Sequence, residues 1–319
     1  MKARLSRRRL LEGACAVAGA AAVGATTMDA AEARAAVAGH RFRYCLNTAT
    51  LRGQRLGLVQ EIEVTAGGGY DGIEPWTGSI HRYVQSGGSL KDLRKRCEDL
   101  GLTVCSAIGF SQWVVDDDGR RAKGIEQLRR DMDVLARIGG THIAAAPAGA
   151  NRRGATLDLD RAAERYRAIL ELGRRSGVIP QIEVWGTSAN LSHVAEAIYV
   201  AAKAAHPDAC VLADAFHMYK GGVEAATLRL LGRHAVHCFH MNDYPAEPPR
   251  EQIRDSQRIW PGDGIAPLKE ILRYFAENHC RVVLSLELFN PTYWRMPAGE
   301  AAKTGLAKMK AVVKAAGLA

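Results

Sequence analysis

From Arg41 onward, short apolar runs of strand length alternate with longer segments in which apolar residues recur every three or four positions. This is the pattern of β-strands joined by amphipathic helices. The strand-like runs are Phe42 to Asn47, Asp71 to Glu74, Thr103 to Ala107, Thr141 to Ala146, Val178 to Val184, Ala209 to Ala213, Ala235 to His240 and Val282 to Glu287. Helical periodicity covers Leu90 to Leu100, Ile125 to Ile138, Leu159 to Arg174, Ser192 to Ala204 and Pro267 to Asn278. Gly101, Gly139, Gly140 and Gly177 stand where a helix C-terminus favours glycine. Strands that alternate with helices imply a parallel sheet, and eight such units imply its closure. The expectation is an α/β fold, a (β/α)8 TIM barrel, as a single domain over residues 36–319. The longest non-periodic stretch, Tyr244 to Gly264, follows the seventh strand and ends in Pro261-Gly262-Asp263-Gly264. A long loop with its own turn residues at that position is expected to be functional.

The first 35 residues break the pattern. Ser6-Arg7-Arg8-Arg9-Leu10-Leu11 opens a weakly apolar, Ala- and Gly-rich run from Gly13 to Ala25, and small residues follow, with Ala33-Arg34-Ala35 as a candidate cleavage site. This resembles a twin-arginine export signal, which implies a partner in the twin-arginine export machinery and a periplasmic location. The run is too short and too poor in Leu and Ile for a membrane span, and no later stretch is long enough for one, so no stable membrane anchor is expected.

The net charge of +9 on 319 residues at first suggests a polyanion partner. Lys2, Arg4, Arg7, Arg8, Arg9 and Arg34 against Glu12, Asp29 and Glu32 account for three of those charges, and the rest are spread along helical segments. No nucleic-acid partner is expected from so diffuse a distribution. Cys45, Cys97, Cys105, Cys210, Cys238 and Cys280 lack paired metal-ligand spacing and several sit in apolar runs, so buried free thiols are expected.

In such a barrel the C-terminal ends of the strands converge on one face. Glu183 ends strand five, Asp214 strand six, His240 strand seven and Glu287 strand eight. A carboxylate inside a run such as Leu284-Ser285-Leu286-Glu287-Leu288 is costly unless it is paired or bound to a metal. Three carboxylates and an imidazole suit one divalent ion, Mn²⁺ first, with Mg²⁺, Co²⁺ and Zn²⁺ as alternatives. Glu74 at the end of strand two, Lys220 after strand six, and Trp113 and Trp185 as an apolar wall are candidates to line a substrate pocket, with Asn47 as a further one.

These strand-end residues, with Asp214-x-x-His217 and with Arg258 ahead of Pro261-Gly262-Asp263-Gly264, resemble the xylose-isomerase-like sugar isomerases and epimerases, closest in pattern to ketose 3-epimerases and inosose dehydratases. The resemblance spans the chain after residue 35. It implies metal ligation by Glu183, Asp214, His240 and Glu287 and substrate contacts from His217 and Arg258. The implied reaction moves a proton next to a carbonyl through an enediolate, one of Glu183 and Glu287 removing the proton and the other returning it. Were that proton delivered to a leaving oxygen, the same site would be a lyase or dehydratase acting on keto-sugars or 3-keto-glycosides.

One departure from the epimerase pattern bears on the substrate: Ala189 stands where a carboxylate is frequent, six residues beyond Glu183. Related apurinic endonucleases bind three zinc ions and carry an Asp-x-His pair where this chain has Ser256 and Arg258. Arginine stays protonated and cannot ligate zinc, and Trp76 and Trp113 stand where histidines would be wanted, so a nuclease is disfavoured. A non-catalytic sugar-binding barrel is the rival of a different class. It has no use for both Glu183 and Glu287. The expected partner is a small sugar, and homo-oligomer formation is left open.

Overall fold

In a computed structural model, residues 42–318 other than 153 and 155 are described, so the export-signal reading lies outside the described residues. The eight strands are β1 (Arg43–Asn47), β2 (Gly72–Glu74), β3 (Thr103–Val104), β4 (His142–Ala145), β5 (Ile179–Glu183), β6 (Val211–Asp214), β7 (Cys238–His240) and β8 (Val283–Leu286). They form one parallel sheet in the order β3-β2-β1-β8-β7-β6-β5-β4. Its outer strands meet where the Ala107 amide donates to the carbonyl of His142 (3.1 Å) and the Ala144 amide to that of Ala107 (2.8 Å). The sheet is thereby a barrel, the expected α/β TIM fold. The run after Val104 reads as strand in the sequence but serves two neighbours in turn: Cys105 bonds back to Ile73 and Ala107 forward to β4. That switch is why β3 is so short.

The helices are α1 (Leu58–Gly67), α2 (Thr77–Gln85), α3 (Leu90–Asp99), α4 (Asp118–Arg137), α5 (Leu159–Ser176), α6 (Val194–Ala204), α7 (Ala215–Lys220), α8 (Leu268–Glu277) and α9 (Ala298–Ala315). Helix α4 begins earlier than its apolar periodicity because the Asp117 carboxylate caps it, accepting from the Arg120 amide. The main core fills the space between strands and helices, with Leu46, Ile143, Phe239, Leu284 and Leu286 facing Ile62, Leu135, Ile169, Val200, Phe275 and Met309. Alternation along the strands turns the other set inward, where Ile108, Ala144, Leu212 and Cys238 form a small separate cluster. The cysteines from Cys45 to Cys280 are buried thiols. No described helix is long and apolar enough to cross a membrane.

Glu61 on α1 is buried, and its Oε2 has no hydrogen-bond partner among the described residues. Burial pushes its carboxyl up from its ordinary 4.5 to about 7, against the pull of Arg82 and Arg52. The folded state thus keeps a proton that the unfolded chain releases earlier, and stability is lost as pH rises from 4.5 to about 7. Glu61→Gln is expected to stabilise the protein by about 2 kcal/mol at pH 8 and by almost nothing at pH 4. Calorimetry at the two pH values checks this; equal shifts in Tm would contradict it.

A candidate metal centre at the C-terminal ends of the strands

Register brings the strand-end residues together. Asp214 pairs with His240 across β6 and β7, His240 with Ser285 across β7 and β8, and Asn47 with Glu74 across β1 and β2. Their side chains point into the barrel with Glu183 and Glu287, and all are buried. Ligand atoms of Asp214, His240 and Glu287 lie within 4.8 Å of one another. Glu183 stands outside that group but acts electrostatically on it, and both it and Glu287 line a cavity of 470 Å³ that His217 and Arg258 also line.

Each ring nitrogen of His240 faces a carboxylate. Nε2 lies 3.0 Å from Glu74 Oε2, while Nδ1 lies 3.2 Å from Glu287 Oε2 and 3.6 Å from Asp214 Oδ2. Burial would drive the imidazole neutral, but Glu287 and Glu74 overcome it and raise its pKa well above the usual histidine range. Burial likewise opposes ionisation of Asp214, yet Arg258 and His240 hold its carboxyl far below the normal range. Glu183 lacks such help: burial pushes it up to about 8, with Glu287 and Asp214 adding to the rise and His240 opposing it.

Arg258 supplies the fixed positive charge. Its Nη1 donates to Asp214 Oδ2 (2.7 Å) and Glu287 Oε2 (3.0 Å), its Nη2 to Asp255 Oδ1 (2.6 Å), and Nη2 stands 3.2 Å from His217 Nε2. The long loop after β7 brings it there. Asp243 pins that loop, its carboxylate accepting from the amides of Tyr244, Gly262, Gly264 and Ala266 at 2.8 to 3.1 Å. Gly264 must be glycine, since a Cβ would sit 2.1 Å from the Tyr244 carbonyl oxygen.

The donor set fits a divalent cation. Glu183 Oε2, His240 Nδ1 and His217 Nδ1 are buried with no hydrogen-bond partner among the described residues. With Nε2 directed at Glu74, the remaining lone-pair position of a neutral His240 is Nδ1, beside two carboxylate oxygens. An acceptor surrounded by acceptors is unfavourable in a dry interior unless a proton or a metal ion lies between them.

Three of the residues expected to touch substrate are placed elsewhere. Glu74 is fully buried beneath the centre, accepting from Ser285 Oγ (2.6 Å) and Asn47 Nδ2 (2.9 Å) as well as facing His240. It supports the imidazole instead of lining the pocket. Trp113 is in the core, its Nε1 donating to the Ala146 carbonyl (2.9 Å) and its ring against Tyr166. Lys220 Nζ donates to the carbonyls of Arg250 (2.6 Å) and Ile253 (3.0 Å), which ties α7 to the long loop. Trp185 does line the cavity. Asn47 reaches the centre from below, donating to Glu287 Oε1 (3.2 Å) and accepting from Trp76 Nε1. The sequence reading passed over Asn242, which donates to Asp214 Oδ2 (3.0 Å), and Asp255, which orients Arg258; a polar residue just past a strand end was the available signal for Asn242.

A carboxylate behind a metal-binding imidazole fixes its tautomer and raises its basicity. Glu74→Gln is therefore expected to weaken divalent-metal affinity by 10- to 100-fold. Titration calorimetry with Mn²⁺ reads this directly, and an unchanged Kd would remove Glu74 from the account.

A parallel eight-stranded barrel with acidic side chains and an imidazole gathered at its C-terminal rim defines a class of enzyme-like folds whose chemistry sits on that rim. The model of the xylose isomerase-like TIM barrel family matches residues 62–312, and the chain belongs to that family. It is 26% identical to an inosose isomerase of Bacillus velezensis, over 85% of this chain and 97% of that protein. It is 23% identical to a 3-dehydroshikimate dehydratase of Pseudomonas putida, over 78% of this chain but 39% of that longer protein. Among solved folds, the crystal structure of the IolI protein with a bound zinc atom superposes with a TM-score of 0.80 at 21% identity, covering 86% of this chain and 99% of that one.

Proposed function

We propose that this protein is a divalent-metal-dependent isomerase or epimerase of a sugar or keto-sugar, with Glu183, Asp214, His240 and Glu287 holding one ion. The observation that carries the reading is a buried Glu183 Oε2 with no hydrogen-bond partner among the described residues, together with a His240 Nδ1 that faces oxygens of Glu287 and Asp214, at a centre where acidic groups outnumber cations. Mn²⁺ is the first choice for a set of oxygen donors with one nitrogen. The zinc atom bound in the similar IolI structure supports a divalent metal without selecting Mn²⁺.

When bound, the ion supplies Lewis-acid polarisation of a hydroxy-carbonyl unit. The chain's own groups then move the proton. Glu183 lines the cavity, with its Oε2 buried and without a hydrogen-bond partner among the described residues, and is one carboxylate for the transfer. Glu287 lines the same cavity and is the second carboxylate for the return transfer. His217 is positioned to hydrogen-bond a substrate oxygen on which charge develops, and burial keeps it neutral by lowering its pKa, while Arg258, its N–H groups engaged by Asp214, Glu287, Asp255 and His217, contributes its positive charge at the cavity wall. Lysis is the second reading, favoured by the similarity to a 3-dehydroshikimate dehydratase. It needs only that the second proton go to a departing oxygen. A periplasmic location through a twin-arginine signal belongs to the same proposal, the ion being acquired before export.

The test is incubation of Mn²⁺-loaded protein in D₂O with inososes, ketoses, 3-dehydroshikimate and 3-keto-glycosides. Deuterium at the carbon beside the carbonyl supports isomerisation, and an unsaturated product supports elimination. Neither with any of these compounds would leave a binding protein in place of an enzyme.

A further inference from the structure

The cavity is built of two unlike halves. One half carries Glu183, Glu287, His217, Arg258 and Asp255. The other is a continuous arc of aromatic rings contributed by four different strand ends: Phe289 to Trp76 with centroids 6.3 Å apart, Trp76 to Phe110 at 4.9 Å, and Phe110 to Trp185 at 6.0 Å. Phe110 is 46% exposed, an unusual state for a phenylalanine that already has aromatic neighbours on both sides. The volume, 470 Å³, falls in the range of about 300–1,000 Å³ that encloses ligands of drug size. It leaves room beyond a single hydroxylated ring held at the carboxylates.

The charge of the walls narrows the occupant further. Arg258 is the one cation lining this cavity among the described residues, and Asp214, Glu287 and Asp255 already engage it. Arg52 lies over Trp76 at 3.9 Å and over Phe289 at 5.3 Å, at the boundary with a neighbouring cavity that it lines. Among the described residues that line the cavity, a phosphate or carboxylate on the substrate would find Glu183, Glu287 and Asp255, and an Arg258 already engaged by acids. A flat, neutral, apolar group would find ring faces and edges for offset or edge-on stacking.

Building on the reading of the centre as a sugar enzyme, we propose that the arc Phe289–Trp76–Phe110–Trp185 is a second subsite, which holds an aromatic aglycone of an uncharged glycoside while the sugar ring lies at Glu183 and Glu287. Phe110 determines specificity there and takes no part in proton transfer, whereas Trp185 also hydrogen-bonds Glu183. The aglycone subsite accounts for a half-exposed Phe110 that closes a run of aromatic rings at the cavity wall.

The experiment is tryptophan-fluorescence or calorimetric titration of the full-length, Mn²⁺-loaded protein with matched phenyl and methyl glycosides of glucose, galactose and mannose, and with glucose 6-phosphate. At least one phenyl glycoside is expected to bind about tenfold more tightly than its methyl partner, and glucose 6-phosphate more weakly than either. Phe110→Ala, at a half-exposed position outside the core, is expected to erase the phenyl advantage and leave methyl glycoside affinity within about twofold; Phe110→Leu, which keeps apolar volume without a ring face, provides the second variant, with thermal unfolding confirming the fold of both. Equal affinity for phenyl and methyl partners, tighter binding of the phosphate, or no binding of any probe overturns the subsite. Because the readout is binding, it separates from the proton-transfer proposal: deuterium exchange without a phenyl preference sinks the subsite alone, and a Phe110-dependent phenyl preference without exchange on any carbonyl substrate sinks the enzyme reading alone.

Discussion

At saturating Mn²⁺, Glu183→Gln and Glu287→Gln are each expected to lower the rate of substrate deuterium exchange by about 10²–10⁴-fold. Glutamine keeps an oxygen that can face a cation but cannot take up or release a proton at neutral pH. Each substitution also removes a negative charge from the metal site, so the affinity for the ion should weaken as well, and the rates must be compared where both variants are fully loaded. The two losses need not be alike. Glu183 has a buried Oε2 without a hydrogen-bond partner among the described residues, whereas Glu287 accepts hydrogen bonds from Asn47 and Arg258. Groups placed in such different surroundings are suited to opposite halves of a proton transfer. Either variant retaining more than a tenth of the wild-type rate would remove that residue from the proton path.

Arg258→Met is expected to cost about 3–5 kcal/mol of stability in protein stripped of metal by EDTA. The guanidinium is fully buried and bonds to Asp214, Glu287 and a half-exposed Asp255, and its removal leaves Asp214 and Glu287 without it in a dry interior. A divalent ion at Asp214 and Glu287 compensates two of the same three carboxylates. Urea unfolding with saturating Mn²⁺ should therefore show the penalty reduced by about half. The same penalty with and without metal would mean that the ion and the guanidinium do not share these carboxylates.

The strands and the cluster at their ends were readable because barrel topology turns a one-dimensional feature into a three-dimensional one. A polar residue closing an apolar run lands at the rim, and Glu183, Asp214, His240 and Glu287 follow that rule. Glu74 closes its run in the same way, and for that reason the sequence assigned it to the pocket; only the 3.0 Å approach to His240 Nε2 shows that it works from beneath. Trp113 and Trp185 look alike in sequence, each just beyond a strand, yet one donates to a backbone carbonyl inside the core and the other borders the cavity. The aromatic arc was the least legible part, because its members come from strand ends separated by most of the chain and Phe110 carries no polar signal. Lys220 was misread for a related reason: its partners are backbone carbonyls of a distant loop, which no side-chain pattern announces.

Anomalous diffraction from crystals of the Mn²⁺-loaded protein tests the central claim most directly. One manganese peak should lie about 2.0–2.3 Å from oxygen atoms of Glu183, Asp214 and Glu287 and from Nδ1 of His240, with Glu74 on the far side of the imidazole. A peak on the Glu74, Cys238 and Nε2 side of His240, or no ordered ion at the rim at all, would contradict it.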